Sequence, residues 1–212
     1  QFPEAMVRQM NAAYYGVVTY LDRQVGRVLD TLDELGLADK TRVIYTSDHG
    51  EHLGGRGIYG KFTMYEESAG IPMLAAGPDV PVGKVVDTPV SLVDSFPTIL
   101  DAVGAHQTDE DRNLPGQSLW EIANADDYDR TVLSEYHAVG AKSAAYMLRN
   151  RQYKYVYYVN EQPQLFDLQN DPDECHDLAG REDNQHVLEY FEDELRALLD
   201  PEGVDAQCKA SQ

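Results

Sequence analysis

The 212-residue chain is short of positive charge. Seventeen Lys and Arg stand against thirty-seven Asp and Glu, which gives a net charge of -20 and an isoelectric point near 4.4. A field of that sign repels nucleic acid and anionic bilayers, so neither a nucleic-acid partner nor a membrane surface is expected. The acids are scattered along the chain, which fits a salt-adapted surface or an ordinary acidic cytoplasmic protein equally. No run of eighteen apolar residues occurs, so no helical membrane span is predicted. The two cysteines, Cys175 and Cys208, lie far apart without Cys-x-x-Cys spacing, and they indicate neither a zinc knuckle nor a disulfide framework. A Walker phosphate loop, a Gly-x-Ser-x-Gly elbow and a His-Glu-x-x-His helix are also missing, which removes the commonest hydrolase and nucleotide-binding classes.

What is present reads as a globular protein, with 42% hydrophobic residues and enough length to bury a core. Apolar residues recur every three or four positions from Met6 to Leu35, which predicts one long amphipathic helix closed by Gly36. Gly26 inside it costs about 1 kcal/mol of helix propensity, so close packing against a neighbour is expected there. Two short apolar strands follow, Arg42 to Thr46 and Ile71 to Ala76, as expected of a parallel α/β sheet. Ser91 or Asp94 caps a short helix ending near Gly104, with Pro97 in its first turn. Residues 106–114 read as an exposed linker.

From Thr131 the texture changes to β-rich runs at 131–136, 143–149, 153–159 and 165–168, an antiparallel meander. Tyr153, Tyr155, Tyr157 and Tyr158 alternate as a sheet would, which points to packing. A closing helix after Asp183 or Asn184 carries Val187, Leu188, Phe191, Leu195 and Leu198 on one face. The expected architecture is α/β, a partial sheet core over residues 1–118 joined to a small α+β subdomain over 119–212.

The chemistry gathers after the first strand, in Asp48-His49-Gly50-Glu51-His52-Leu53-Gly54-Gly55. A carboxylate and an imidazole at a strand end can both offer lone pairs to a divalent cation, although a strand-end turn would use the same residues. His52 reads as a loop hydrogen-bonder or as a third ligand. Glu51 and Arg56 read as solvated loop residues, and Tyr65 and Glu66 as supports for the loop. His137, ending a strand near Gly140, is a candidate for the substrate entrance.

Asp22, Gly26, Leu29, Leu32 and Gly36, then Val43 to Gly50, Gly60-Lys61, Tyr65 to Ser68 and Ile71 to Leu74 resemble the catalytic domain of sulfatases in the alkaline phosphatase superfamily. Gln164 to Glu174 and Asp177-Leu178-Ala179 resemble that family's C-terminal subdomain, with the flavour of choline-sulfatase-like enzymes and phosphonate monoester hydrolases. The resemblance implies an alkaline-phosphatase-like fold and a sulfuric ester hydrolase acting on a small-molecule sulfate or phosphonate ester. It implies Asp48 and His49 as metal ligands, with Ca²⁺ or else Mn²⁺ as the cation, and Lys61 as the residue that contacts the transferred group. The family's nucleophile, a formylglycine made within Cys/Ser-x-Pro-x-Arg, has no counterpart here. The chain therefore reads as the C-terminal portion of such an enzyme, inactive by itself, or alternatively as a catalytically silent remnant. Apolar surface left open in such a portion predicts self-association, hence a homo-oligomer, when the 212 residues are made alone.

Overall fold

The computed structural model describes residues 2–125, 128–137 and 141–211. Contacts divide the chain into two compact units, Gln1–Lys84 and Val85–Gln212. The first opens with α1 (Glu4–Glu34), a 31-residue helix. Its C-terminus closes as the glycine pattern predicts: Gly36 sits at φ 63°, its N–H donates to Asp33 O at 3.0 Å, and the N–H of Leu37 donates to Leu32 O at 2.9 Å. This is the paired closure in which a left-handed glycine satisfies the last carbonyls. The expected packing around Gly26 is not found, since a Cβ built there meets nothing within 4 Å. No residue of α1 is buried, and Tyr15, Val17, Tyr20 and Val28 are each more than 60% exposed.

β1 (Val43–Thr46) and β2 (Met73–Ala76) pair antiparallel, with Val43 opposite Ala76 and Thr46 opposite Met73. The parallel arrangement expected from the sequence is not the pairing these two strands make. The N–H of Gly50 donates to Ser68 O at 2.8 Å just beyond the strand ends, so residues 47–72 close as a loop and the flanking strands run in opposite directions. Within that loop lies the short helix α2 (Glu66–Ala69).

The second unit begins with α3 (Ser95–Ala102) and α4 (Leu119–Asn124). The reciprocal cap between Ser91 and Asp94 is present, and Pro97 falls in the first turn as expected. Asp94 does more than cap. Fully buried, its carboxylate accepts from Ser91 N and Gln117 N, both at 2.8 Å, and from both terminal nitrogens of Arg130 at 2.9 and 2.8 Å. These bonds join residues 91–117 to residue 130, so the cut between units at 84/85 places 85–118 with the second unit, upstream of the expected boundary at 118/119.

The meander is observed in the order β3 (Val132–Tyr136), β4 (Ala145–Arg149), β5 (Tyr153–Tyr158) and β6 (Gln164–Asp167), all antiparallel. α5 (Gln185–Leu198) lays Val187, Leu188, Phe191 and Leu195 on this sheet, where they join Tyr146, Leu148, Tyr155 and Leu165 in one core. The Tyr155 and Phe191 rings stack with centroids 5.9 Å apart and planes 11° from parallel. Leu198 departs from the expected face and is 62% exposed. The helix ends there, and the extended Leu199 takes the place against the core. α6 (Pro201–Ala210) then starts with Asp200 accepting from Gly203 N and Pro201 at the first helical position, a signature of helix starts.

Beneath the sheet Lys154 and Glu174, both fully buried, meet at 2.7 Å. Removing one member of a buried ion pair takes away charge compensation where water does not reach, which costs about 3–5 kcal/mol. Glu174→Ala is therefore expected to lower unfolding free energy by about 3–5 kcal/mol, read as a shifted urea midpoint. At the surface, Arg196 and the Tyr157 hydroxyl hold the Glu202 carboxyl down to about 2 from its ordinary 4.5. A depressed folded-state value stabilises above the unfolded pKa and is lost as pH falls through the folded one. The thermal midpoint is expected to decline from about pH 4.5 toward about 2, and Glu202→Gln is expected to flatten that decline.

Candidate active site

The residues that matter chemically follow β1 directly. Its last residue, Thr46, leads into Ser47-Asp48-His49, and the turn holds itself: Ser47 Oγ donates to His49 O at 2.8 Å, and His49 N donates to Asp48 Oδ1 at 3.0 Å. The Asp48 side chain is 84% exposed, and its Oδ2 lies 3.4 Å from His49 Nε2. Although desolvation pulls the other way, His49, the backbone N–H groups of 48 and 49, and Lys61 hold the Asp48 carboxyl below the usual carboxylate range.

His49 Nδ1 lies 2.9 Å from Gly50 O. A carbonyl can only accept, so Nδ1 carries the proton and Nε2 of the neutral ring carries the lone pair. That lone pair is met by Lys61, whose Nζ donates to it. The structure thus brings Asp48, His49 and Lys61 together. His137 belongs to the second unit, at the end of β3, where Nε2 lies 3.0 Å from Glu135 Oε2 and the ring meets Tyr146 edge-on. Gly140, expected as a flexible point beside it, lies outside the described residues.

The loop that carries these groups is tied down from inside. Gly50 has no room for a side chain, since a Cβ there would fall 2.1 Å from Glu67 O. Glu51, expected in solvent, instead turns its Oε1 back onto two backbone donors, Gly60 N at 2.7 Å and Leu53 N at 3.0 Å. Those two donors, Gly60 first, lower its pKa. His52 is 4% exposed and puts Nε2 on Thr63 Oγ1 at 2.7 Å, which makes it a hydrogen-bonder of the loop. Arg56 is likewise not a free solvated side chain. At φ 55° it lays its guanidinium 3.9 Å over the Tyr65 ring and brings Nε to 3.4 Å from Glu67 Oε1. Ser68, which sequence reading passed over, donates its hydroxyl to Lys61 O. Its only prior signal is its place in the Tyr65-Glu66-Glu67-Ser68 run.

A carboxylate oxygen and a neutral imidazole nitrogen 3.4 Å apart suit a divalent cation. Among the described residues no three His, Cys, Asp or Glu side chains gather as a metal-holding group. Asp48 and His49 are therefore two candidate donors, fewer than a divalent cation takes. Beside them the Lys61 ammonium places a positive charge, so the three groups offer donor chemistry for a cation and a charge for an oxyanion.

The Sulfatase family model matches residues 2–105. Arylsulfatase K of Xenopus laevis is 34% identical over 218 residues, covering 97% of this chain and 40% of its own length. The choline-sulfatase of Rhizobium meliloti is 35% identical over 212 residues, covering 99% of this chain and 41% of its own. The crystal structure of the phosphonate monoester hydrolase of Agrobacterium radiobacter superposes with a TM-score of 0.77 at 26% identity, over 89% of this chain and 40% of that one. The chain thus spans about two fifths of the length of the curated relatives it matches.

The Glu51 clasp can be tested apart from any activity. Glu51→Ala leaves the Leu53 and Gly60 amides without their acceptor, a loss of about 1–3 kcal/mol of local stability. Hydrogen exchange at those two amides is expected to speed up, while exchange at Tyr155 in the second unit stays unchanged.

Proposed function

The chain belongs to the sulfatase family, and on that premise we propose that it supplies one wall of the active site of a sulfate monoester hydrolase. The observation that carries this reading is the convergence of the Asp48 carboxylate and the Lys61 ammonium on His49 Nε2. Asp48 and His49 would hold a divalent cation, Ca²⁺ or alternatively Mn²⁺. That cation would supply Lewis-acid stabilisation of ester and nucleophile oxygens.

The residues of the chain itself have defined tasks. Nδ1–H donation to Gly50 O fixes the His49 tautomer, so that Nε2 would offer its lone pair to a cation. One lone pair serves one partner. Were Nε2 to serve a cation, the Lys61 ammonium would be free of His49 and available to an anion. Hydrolysis transfers sulfur from the organic oxygen to another oxygen, and negative charge grows on the bridging oxygen as the S–O bond breaks. A compact ammonium at Lys61 would bind the non-bridging oxygens and offset that growing charge. Sulfatase-family enzymes generally use a formylglycine nucleophile as well as the metal. No Cys/Ser-x-Pro-x-Arg segment occurs in the 212 residues, so these residues alone would not turn over substrate. His137 is proposed as a substrate contact, checked by whether His137→Ala raises KM.

Phosphonate monoester or phosphodiester hydrolysis is the second reading, favoured by the structural likeness to the Agrobacterium enzyme. Sulfate and phosphonate esters share tetrahedral geometry and differ mainly in charge, so assays of an aryl sulfate and a phosphonate monoester side by side would separate the two. In the full-length enzyme Asp48→Ala and Lys61→Ala are each expected to lower kcat/KM by roughly 100-fold or more. Near-wild-type turnover in either variant would overturn the assignment.

A further inference from the structure

We propose that Ser68 is a positioning residue that holds the Lys61 backbone beside the His49-Gly50 segment. The inference rests on the reading of Asp48, His49 and Lys61 as one wall of the site. Lys61 and His49 stand twelve residues apart in sequence, and the chain between them is a loop rich in glycine. Something has to bring the two segments into register. Ser68 touches both. Its hydroxyl donates to Lys61 O, and its own carbonyl accepts from Gly50 N at 2.8 Å.

Ser68 is 3% exposed and sits on the first full turn of α2, where its N–H donates to Tyr65 O at 2.9 Å. All three of its polar backbone and side-chain functions are therefore engaged, two of them by the segments that carry the site. The approach is close as well as bonded, because the Gly50 backbone lies where a Cβ would collide with Glu67 O at 2.1 Å. The Glu51 carboxylate ties Leu53 to Gly60 on the other side of the same loop. Between these two ties the Lys61 segment has little freedom.

The hydroxyl is separable from the fold. Alanine is the better helix former, and the carbonyl link from Gly50 to residue 68 does not need the side chain. Ser68→Ala therefore removes the hold on the Lys61 backbone while leaving α2 and the β1–β2 pair in place.

The test is amine-selective labelling of the 212-residue protein, read lysine by lysine by mass spectrometry, with Lys40 as internal reference and circular dichroism as a check of folding. In Ser68→Ala, Lys61 is expected to label several-fold faster than in the wild type while Lys40 keeps its rate. Gly50→Ala, which acts on the other link, is expected to do the same. If Ser68→Ala does not fold, Ser68→Cys replaces it, keeping the size and weakening the donor. Unchanged Lys61 labelling, or equal acceleration at Lys61 and Lys40, overturns the proposal. In the full-length enzyme Ser68→Ala is expected to lower kcat on the order of tenfold, with Ser68→Thr recovering part of it by restoring the hydroxyl. Should Lys61→Ala retain full turnover, the sulfatase assignment of Lys61 fails while the labelling still decides whether Ser68 positions it.

Discussion

The site in the first unit depends on one steric constraint, the seating of a bare backbone at Gly50 against the Glu67 and Ser68 carbonyls. A side chain at 50 would collide with Glu67 O at 2.1 Å, and the Gly50 N–H to Ser68 O bond of 2.8 Å needs that same closeness. From this contact follow the closure of residues 47–72, the antiparallel pairing of β1 with β2, and the meeting of Lys61 with His49. His49 adds the second constraint. By donating from Nδ1 to Gly50 O it presents a lone pair from Nε2, and so the backbone that anchors the loop also sets the ring's chemistry.

The two units are held by different physics. The first has its carboxylates and amides engaged in backbone ties across a loop, while α1 buries no residue. The second carries a cluster of aromatic and aliphatic side chains from β4, β5, β6 and α5, together with two deeply placed ionic groups. Asp94, held by four donors, satisfies nearly all the lone pairs of its carboxylate, which is the condition under which a buried charge is tolerated.

Much of this is legible in the sequence where the signal is periodic. α1, the four-strand meander and the buried face of α5 follow from spacings of two or of three and four, and the tyrosine alternation of β5 correctly reads as packing. The closeness of Asp48 and His49 is trivial in a chain, while that of Lys61 comes through the family motif. What is not legible depends on contacts distant in sequence. Glu51 and Arg56 look like solvated loop residues because nothing local shows the Gly60 amide or the Tyr65 ring they meet. Ser68 has no distinguishing neighbour. The direction of β1 against β2 is set by loop closure and not by strand composition, and the expected packing at Gly26 presumed a neighbour that the structure does not place there. α4 and α6 are omissions with a clear local signal, the Ser118 cap of the one and the Asp200-Pro201 start of the other.

The Lys154–Glu174 pair has a consequence for how this fold can diverge. Each residue alone, replaced by a neutral one, weakens the compensation of the other's charge where water cannot reach it, so the intermediate between two workable sequences is the least fit of the three. Glu174 adds a further lock, since its backbone lies at φ 48°, a conformation that most β-branched replacements resist. Descendants of this chain should therefore keep both residues or lose both, and a family tree that shows one without the other should show a third change nearby that offsets the charge that remains.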